Sequence, residues 1–237
     1  MIIINNLSKS YKTAQGTIQA LKNITLEIAD NTCTVIAGEN GSGKSVLMSI
    51  IAGLEKADSG EIKVNGQVGL VFQEAETQIL GETPREDIAF GPKNLGWKKD
   101  KIELAVNKAL EATGLTKKAN FSARFLSGGE KRRLAVACML AMDLPVIILD
   151  EPYANLDYSG VKQVNELIRQ LKKNDKTVII LTHEIEKCLA LADKFVVLFR
   201  GQIKFDGNPQ EGLKQNLEEW NIRNPLTRYC KLEDLVW

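Results

Sequence analysis

The chain has 237 residues, which at roughly 150 residues per domain allows one domain with a sizeable insert and a full hydrophobic core. Apolar residues make up 44% and charged residues 26%, and 31 basic against 30 acidic side chains leave a formal net charge of +1. A surface built for nucleic acid is therefore disfavoured, no apolar run reaches the roughly 20 residues that cross a bilayer, and the start lacks the basic region of a signal peptide.

Strands are predicted at 2–7, 24–28 and 32–37, followed by a helix over 44–54. The strand pattern resumes at 60–64 and 68–72, joined by the turn signal Asn65-Gly66. From about Glu74 to Asp143 the character is helical. Thr83-Pro84-Arg85-Glu86 combines a capping residue, a proline at the first helical position and a glutamate able to reach back. Asp100 and Glu103 are expected to form a similar box. After them Ile102, Ala105, Val106, Ala109 and Leu110 recur at helical spacing. Strands return at 145–149, 177–181 and 194–199, separated by helices near 160–173 and 184–191, which is the alternation of a parallel sheet. The expected fold is α/β, one domain over 1–237. Its core covers about 1–74 and 144–212, a helical insert about 75–143, and a short tail about 213–237.

Cys33, Cys138, Cys188 and Cys230 lie far apart with no C-x-x-C pair, so they are read as free, mostly buried thiols. His183 is the single histidine, which excludes a multi-histidine metal site.

Gly38-Glu39-Asn40-Gly41-Ser42-Gly43-Lys44-Ser45 fits G-x-x-x-x-G-K-[ST] between a predicted strand and a predicted helix. Glycines turn backbone N–H groups toward an anion, and the helix points its positive end at the same place. Lys44 adds a point charge for the β- and γ-phosphates, and the Ser45 hydroxyl can ligate Mg²⁺. Val146-Ile147-Ile148-Leu149-Asp150-Glu151 is a buried strand ending in two acids with different tasks, Asp150 for Mg²⁺ and Glu151 for the attacking water. His183 follows a core strand at its C-terminal end, where ligands of parallel sheets gather. Its neutral ring is expected to donate one N–H to the γ-phosphate while accepting from a neighbour. Leu126-Ser127-Gly128-Gly129-Glu130 is a second glycine-rich helix start, with Ser127 as cap.

With these motifs in this order, the chain resembles the ABC-type ATPases, the nucleotide-binding subunits of ATP-driven transporters. The resemblance runs from the first strand to about Gly207, and Leu126-Ser127-Gly128-Gly129 is its most specific element. It implies a RecA-like phosphate-loop core with an antiparallel β subdomain beside the helical insert. It implies ATP and Mg²⁺ as ligands, with Tyr11 stacking on adenine and residues 38–45 and Val46 around the nucleotide. Gln73 would touch Mg²⁺ beside Ser45 and Asp150 and sense the partner, and Glu151, His183 and Lys44 would serve hydrolysis. Ser127, Gly128, Gly129 and Glu130 would reach ATP held by a second subunit, identical or related, with Ala154-Asn155-Leu156-Asp157 as a dimer-contact loop. A separate transmembrane permease is implied, with the chain at the cytoplasmic face of the cell membrane. Nucleic acid is not.

Some positions depart from the family pattern. Tyr153 and Asn155 are bulkier than usual in their loop, and a short connection before Val68 implies a trimmed peripheral sheet. Residues 74–96 resemble the same segment of energy-coupling-factor importers, which take up vitamins or cobalt and nickel. Ile79, Ile88 and Phe90 are expected to pack the insert, whereas Gln78 and Glu86-Asp87 exceed what packing requires. A generic importer or exporter ATPase, a soluble ABC ATPase outside transport and a regulatory binding module are the alternatives. Lys98-Lys99, Lys131-Arg132-Arg133 and Lys172-Lys173 are expected on solvated helix faces, or Lys131-Arg132-Arg133 near nucleotide charge across a dimer. The tail from Trp220 to Trp237 is expected to pad a subunit contact.

Overall fold

Strands covered on both faces read as near-continuous apolar runs, and residues 146–149, 178–181 and 195–199 are such runs. The computed structural model describes residues 1–14 and 16–226. Its first half contains β1 (Ile2–Thr13), β2 (Gly16–Ile28), β3 (Cys33–Ala37), α1 (Lys44–Ile51), β4 (Ser59–Val64) and β5 (Val68–Val71). The helices α2 (Pro84–Asn94), α3 (Lys99–Ala112) and α4 (Gly128–Ala141) follow. Then come β6 (Val146–Asp150), α5 (Tyr158–Lys173), β7 (Thr177–Thr182), β8 (Lys194–Phe199), β9 (Gln202–Gly207) and α6 (Pro209–Gly212).

The main sheet runs β5-β6-β7-β3-β8-β9, parallel except for β9 at its edge. Successive residues of β6 feed opposite faces: Ile147 and Leu149 pack with Val164, Leu167, Ile168 and Leu171 of α5. Val146 and Ile148 pack with Leu47, Ile50 and Ile51 of α1. The antiparallel sheet β2-β1-β4 closes that second layer through Ile2, Ile4, Leu26 and Ile28. Each such buried side chain contributes about 1.5–3 kcal/mol. The helices between β5 and β6 have a core of their own, built on Ile88, Val106, Leu110 and Leu134. Among the described residues no helix is long and apolar enough to cross a membrane.

Several expected elements change. Residues 60–64 and 68–72 do not form a hairpin: β4 is mostly exposed and joins the antiparallel sheet, whereas β5 is mostly buried and enters the main sheet beside β6. The capping box at Thr83 is present, its Oγ1 accepting from the Glu86 N–H at 3.3 Å. The one expected at Asp100 is not. There the helix starts at Lys99, Lys98 caps it without a side-chain bond, and Asp100 lies in the first turn facing the positive helix end. The helix expected over 184–191 is two 3-10 turns, Ile185–Lys187 and Leu189–Leu191, separated where Cys188 leaves helical geometry at φ −139°. Leu217 and Ile222 are buried in the main core and Trp220 packs against it, so this part of the tail serves its own fold. The remainder, with Trp237 and Cys230, lies outside the described residues. Cys33 and Cys188 are buried and Cys138 is half-buried, and burial pushes the Cys33 thiol up to about 12.

Candidate active site

The loop between β3 and α1 wraps a cavity of about 330 Å³ lined by Gly41, Gly43, Lys44, Ser45, Val46, Gln73, Asp150 and Glu151. Gly43 is the cap of α1 at φ 106°, and a Cβ there would lie 2.7 Å from the Ala20 carbonyl oxygen. A Cβ on Gly38 would lie 2.2 Å from the Leu198 oxygen. Only glycine permits this path. The buried Ser42 hydroxyl has no hydrogen-bond partner among the described residues. Lys44 folds over the loop, its Nζ donating to the carbonyls of Gly38 at 2.5 Å and Glu39 at 3.1 Å. Burial lowers its pKa, while the charges of Glu151 and Asp150 oppose that shift.

Glu151 is 5% exposed at the tip of β6 and adopts φ 44°. Its Oε2 accepts from Thr182 Oγ1 at 3.0 Å, its Oε1 lies 2.9 Å from His183 Nδ1, and Lys44 Nζ is 3.9 Å away. The left-handed turn aims the carboxylate back across β7, whose end supplies both Thr182 and His183. An ionised carboxylate only accepts, so His183 Nδ1 is the donor. With that tautomer a neutral ring turns Nε2 outward as an acceptor, and the tautomer with the proton on Nε2 is the one that donates to a phosphate. Asp150 is pushed up by burial and then by the Glu151 charge, with Lys44 opposing.

Gln73, at the exit of β5, reaches the cavity lining together with Asp150. Tyr11 is not among the lining residues; its β1 position pairs with Ile18, which is. Its hydroxyl donates to the Glu55 carboxylate at 2.7 Å, and Lys9 Nζ lies 5.4 Å from its ring centroid. Ser127, Gly128, Gly129 and Glu130 lie outside the cavity, where a full capping box starts α4. Tyr153 is fully buried with its hydroxyl donating to Asn165 at 2.7 Å, and Asn155 takes a left-handed turn at φ 58°, so both bulky residues fit the loop.

Three expectations from the polar residues change. Gln78 bonds the Leu70 carbonyl and the Phe72 N–H, each at 2.8 Å. Asp87 accepts from the N–H groups of Leu80 and Gly81, and Glu86 completes the cap of α2. Packing and capping therefore account for residues that looked superfluous to the fold. Phe90, expected to pack the insert, is exposed. In the basic stretch Lys131 pairs with Glu76 and Arg133 bonds Gln163, whereas Arg132 is buried. Sequence reasoning gave Thr182 no site role, and it offered Arg132 only a place on a solvated face or near nucleotide charge across a dimer. For Thr182 the available signal was a hydroxyl closing an apolar strand just before the only histidine.

The family model described as ABC transporter matches residues 21–154. An energy-coupling factor transporter ATP-binding protein of Ligilactobacillus salivarius is 41% identical over 94% of this chain and 83% of its own length. The solved structure of cbiO1 from Clostridium perfringens, part of the ABC transporter complex cbiONQ, superposes with a TM-score of 0.82 at 32% identity, covering 94% of this chain and 95% of that one. An ATP-binding cassette solved as a dimer in a post-hydrolysis state with ADP and Pi gives 0.79 at 27% identity, covering 88% and 99%.

Proposed function

The chain belongs to the ABC transporter ATPase family, and from that premise we propose that it is the ATP-hydrolysing subunit of an energy-coupling-factor importer for a vitamin or for cobalt or nickel. It works as one of two paired ATPase subunits beneath a separate transmembrane permease, at the inner face of the cell membrane. The observation that carries the chemistry is the Glu151 carboxylate, fixed by Thr182 and His183 at the edge of a phosphate-loop cavity that also holds Lys44 and Asp150.

Residues 38–46 cradle the phosphates through backbone N–H groups and Lys44, and the unpartnered Ser42 hydroxyl is a donor free for the same anion. Ser45, Asp150 and Gln73 supply oxygen donors to one side of the cavity, which suits Mg²⁺ held by few protein ligands plus phosphates and water. When bound, Mg²⁺ neutralises charge on the β- and γ-phosphate oxygens. Glu151 aligns a water and takes its proton as the water oxygen bonds to the γ-phosphorus; the bond to the β,γ-bridging oxygen breaks, and its electron pair leaves with ADP. His183 keeps the carboxylate aimed. Tyr11 stacks on the adenine beyond Ile18, and Ser127 to Glu130 reach the γ-phosphate of the partner's ATP.

The importer assignment is supported by the relatives' names, since Gln78, Glu86 and Asp87 are accounted for by the fold. We assign the permease helix to a groove within the helical insert, lined by Ile79, Thr83, Arg124 and Lys131. Leu80 lies beside it in sequence and is 68% exposed. Glu151→Gln is expected to keep ATP binding and lose turnover by about a hundredfold or more, whereas Lys44→Ala loses binding. Turnover within about threefold of the parent sinks the role of Glu151. For the subtype, a cysteine at Leu80 should cross-link to an energy-coupling-factor permease that also stimulates hydrolysis. Capture by an exporter-type permease alone overturns the subtype and leaves the ATPase intact.

A further inference from the structure

Arg132 is 8% exposed on α4, yet no carboxylate pairs with it among the described ion pairs. Its guanidinium is spent on backbone. Nη1 donates to the carbonyls of Pro152 at 3.0 Å and Ala154 at 2.9 Å, and Nη2 donates to the Gln73 carbonyl at 3.1 Å, while Nε has no partner among the described residues. A buried cation without a counter-charge is expensive, and burial lowers its pKa accordingly.

The carbonyls it joins belong to two segments that otherwise part company. Gln73 leaves β5 toward the helical elements, and Pro152–Ala154 leave β6 toward α5, although β5 and β6 are neighbours in the sheet. One rigid, planar fork fixes both exits at one separation, and it is carried by the helix that starts at Ser127. We propose that Arg132 is a positioning residue that ties α4 to the catalytic cavity, holding the Gln73 and Pro152–Ala154 backbones so that Gln73 and Glu151 address the same phosphate. This rests on the hydrolysis reading above. It also makes α4 a lever: a shift of that helix moves both exits together, whereas none of the described hydrogen bonds of this fork goes to the phosphate loop.

The test uses the full chain with Arg132→Met, which keeps length without donors, and Arg132→Lys, which keeps charge without the planar fork. In Arg132→Met, kcat is expected to fall about tenfold to a hundredfold, the scale of a misplacement near 1 Å. Equilibrium binding of a fluorescent ATP analogue, set by residues 38–46, should stay within about threefold. Arg132→Lys should fall between Met and the parent. Hydrogen exchange should accelerate together in peptides covering 72–79 and 152–157 and stay unchanged over 38–45. Parental kcat in both variants overturns the proposal, as does a loss shared equally by kcat, nucleotide affinity and exchange over the whole chain, which marks a merely structural role. If Arg132→Met does not fold, Arg132→Lys carries the same readouts. Absence of Glu151-dependent hydrolysis in the parent overturns the hydrolysis reading instead, and the paired exchange pattern still decides whether Arg132 joins the two segments.

Discussion

Glu151 is held by neighbours whose importance differs in how visibly it is written. Thr182 Oγ1 donates to the carboxylate at 3.0 Å and also accepts from the Glu184 N–H at 3.0 Å, so one hydroxyl sets both the acid and the turn that carries His183. Thr182→Val keeps the β-branched shape and strands a buried carboxylate oxygen. Losing a bond to a charged group costs about 1.5–3 kcal/mol. Turnover should therefore fall about tenfold or more, with nucleotide binding kept, and the midpoint of denaturation should drop. Steady-state ATPase assays beside urea titrations check this, and unchanged turnover would remove Thr182 from the site. Lys44, Ser45, Asp150 and Glu151 were legible because a phosphate loop and an acid-tipped apolar strand each tie a residue type to a place. Thr182 and Arg132 were not, because a threonine in a strand and an arginine in a basic run have bland readings that only the fold can overrule.

Among the elements, legibility followed the strength of the local pattern. Runs buried on both faces, such as β6, β7 and β8, were found to within about a residue. β9 was missed although Gln202-Ile203-Lys204-Phe205 alternates, because an edge strand has only one apolar face. Asn65-Gly66 signalled a turn correctly but not which sheet each flank would join, since that depends on burial across the molecule. The capping box of α4 shows what local chemistry does control. Lys118 first, and then the Ser127 N–H, hold the Glu130 carboxyl below its ordinary value of 4.5. A depressed carboxyl adds stability that is complete above the unfolded-state value and is lost as pH falls through the folded one. Glu130→Gln keeps the box geometry and removes the charge. The variant should be less stable than the parent at pH 7, and the gap should close as pH drops below 4.5. Urea midpoints across that range measure it, and a gap that persists in acid would assign the effect to geometry.

At the scale of the whole molecule, the cavity is one-sided. Gly41, Lys44, Asp150 and Glu151 line it, while Ser127 and Gly128 sit exposed elsewhere on the same chain and are absent from the lining. The N-terminus of α4 offers N–H groups and the positive end of a helix to an anion, and the described chain brings no phosphate-binding loop of its own against it. On the proposed function, a second subunit in the opposite orientation would supply one, and the twofold arrangement would then complete both sites at once. A net charge of +1 puts little long-range repulsion in the way. ATP should therefore act as the bridging ligand, and association should depend on nucleotide by mass action. Glu151→Gln, which holds ATP uncleaved, is expected to move from monomer to dimer with Mg-ATP in light scattering and to revert when nucleotide is removed. Ser127→Arg, placing a bulky cation where the phosphate must be met, should bind nucleotide normally and stay monomeric. If Glu151→Gln stays monomeric at saturating ATP and high protein concentration, a related but unequal ATPase subunit should restore the ATP-dependent pair. Failure of that mixture too would break the link between the exposed start of α4 and the phosphate cavity.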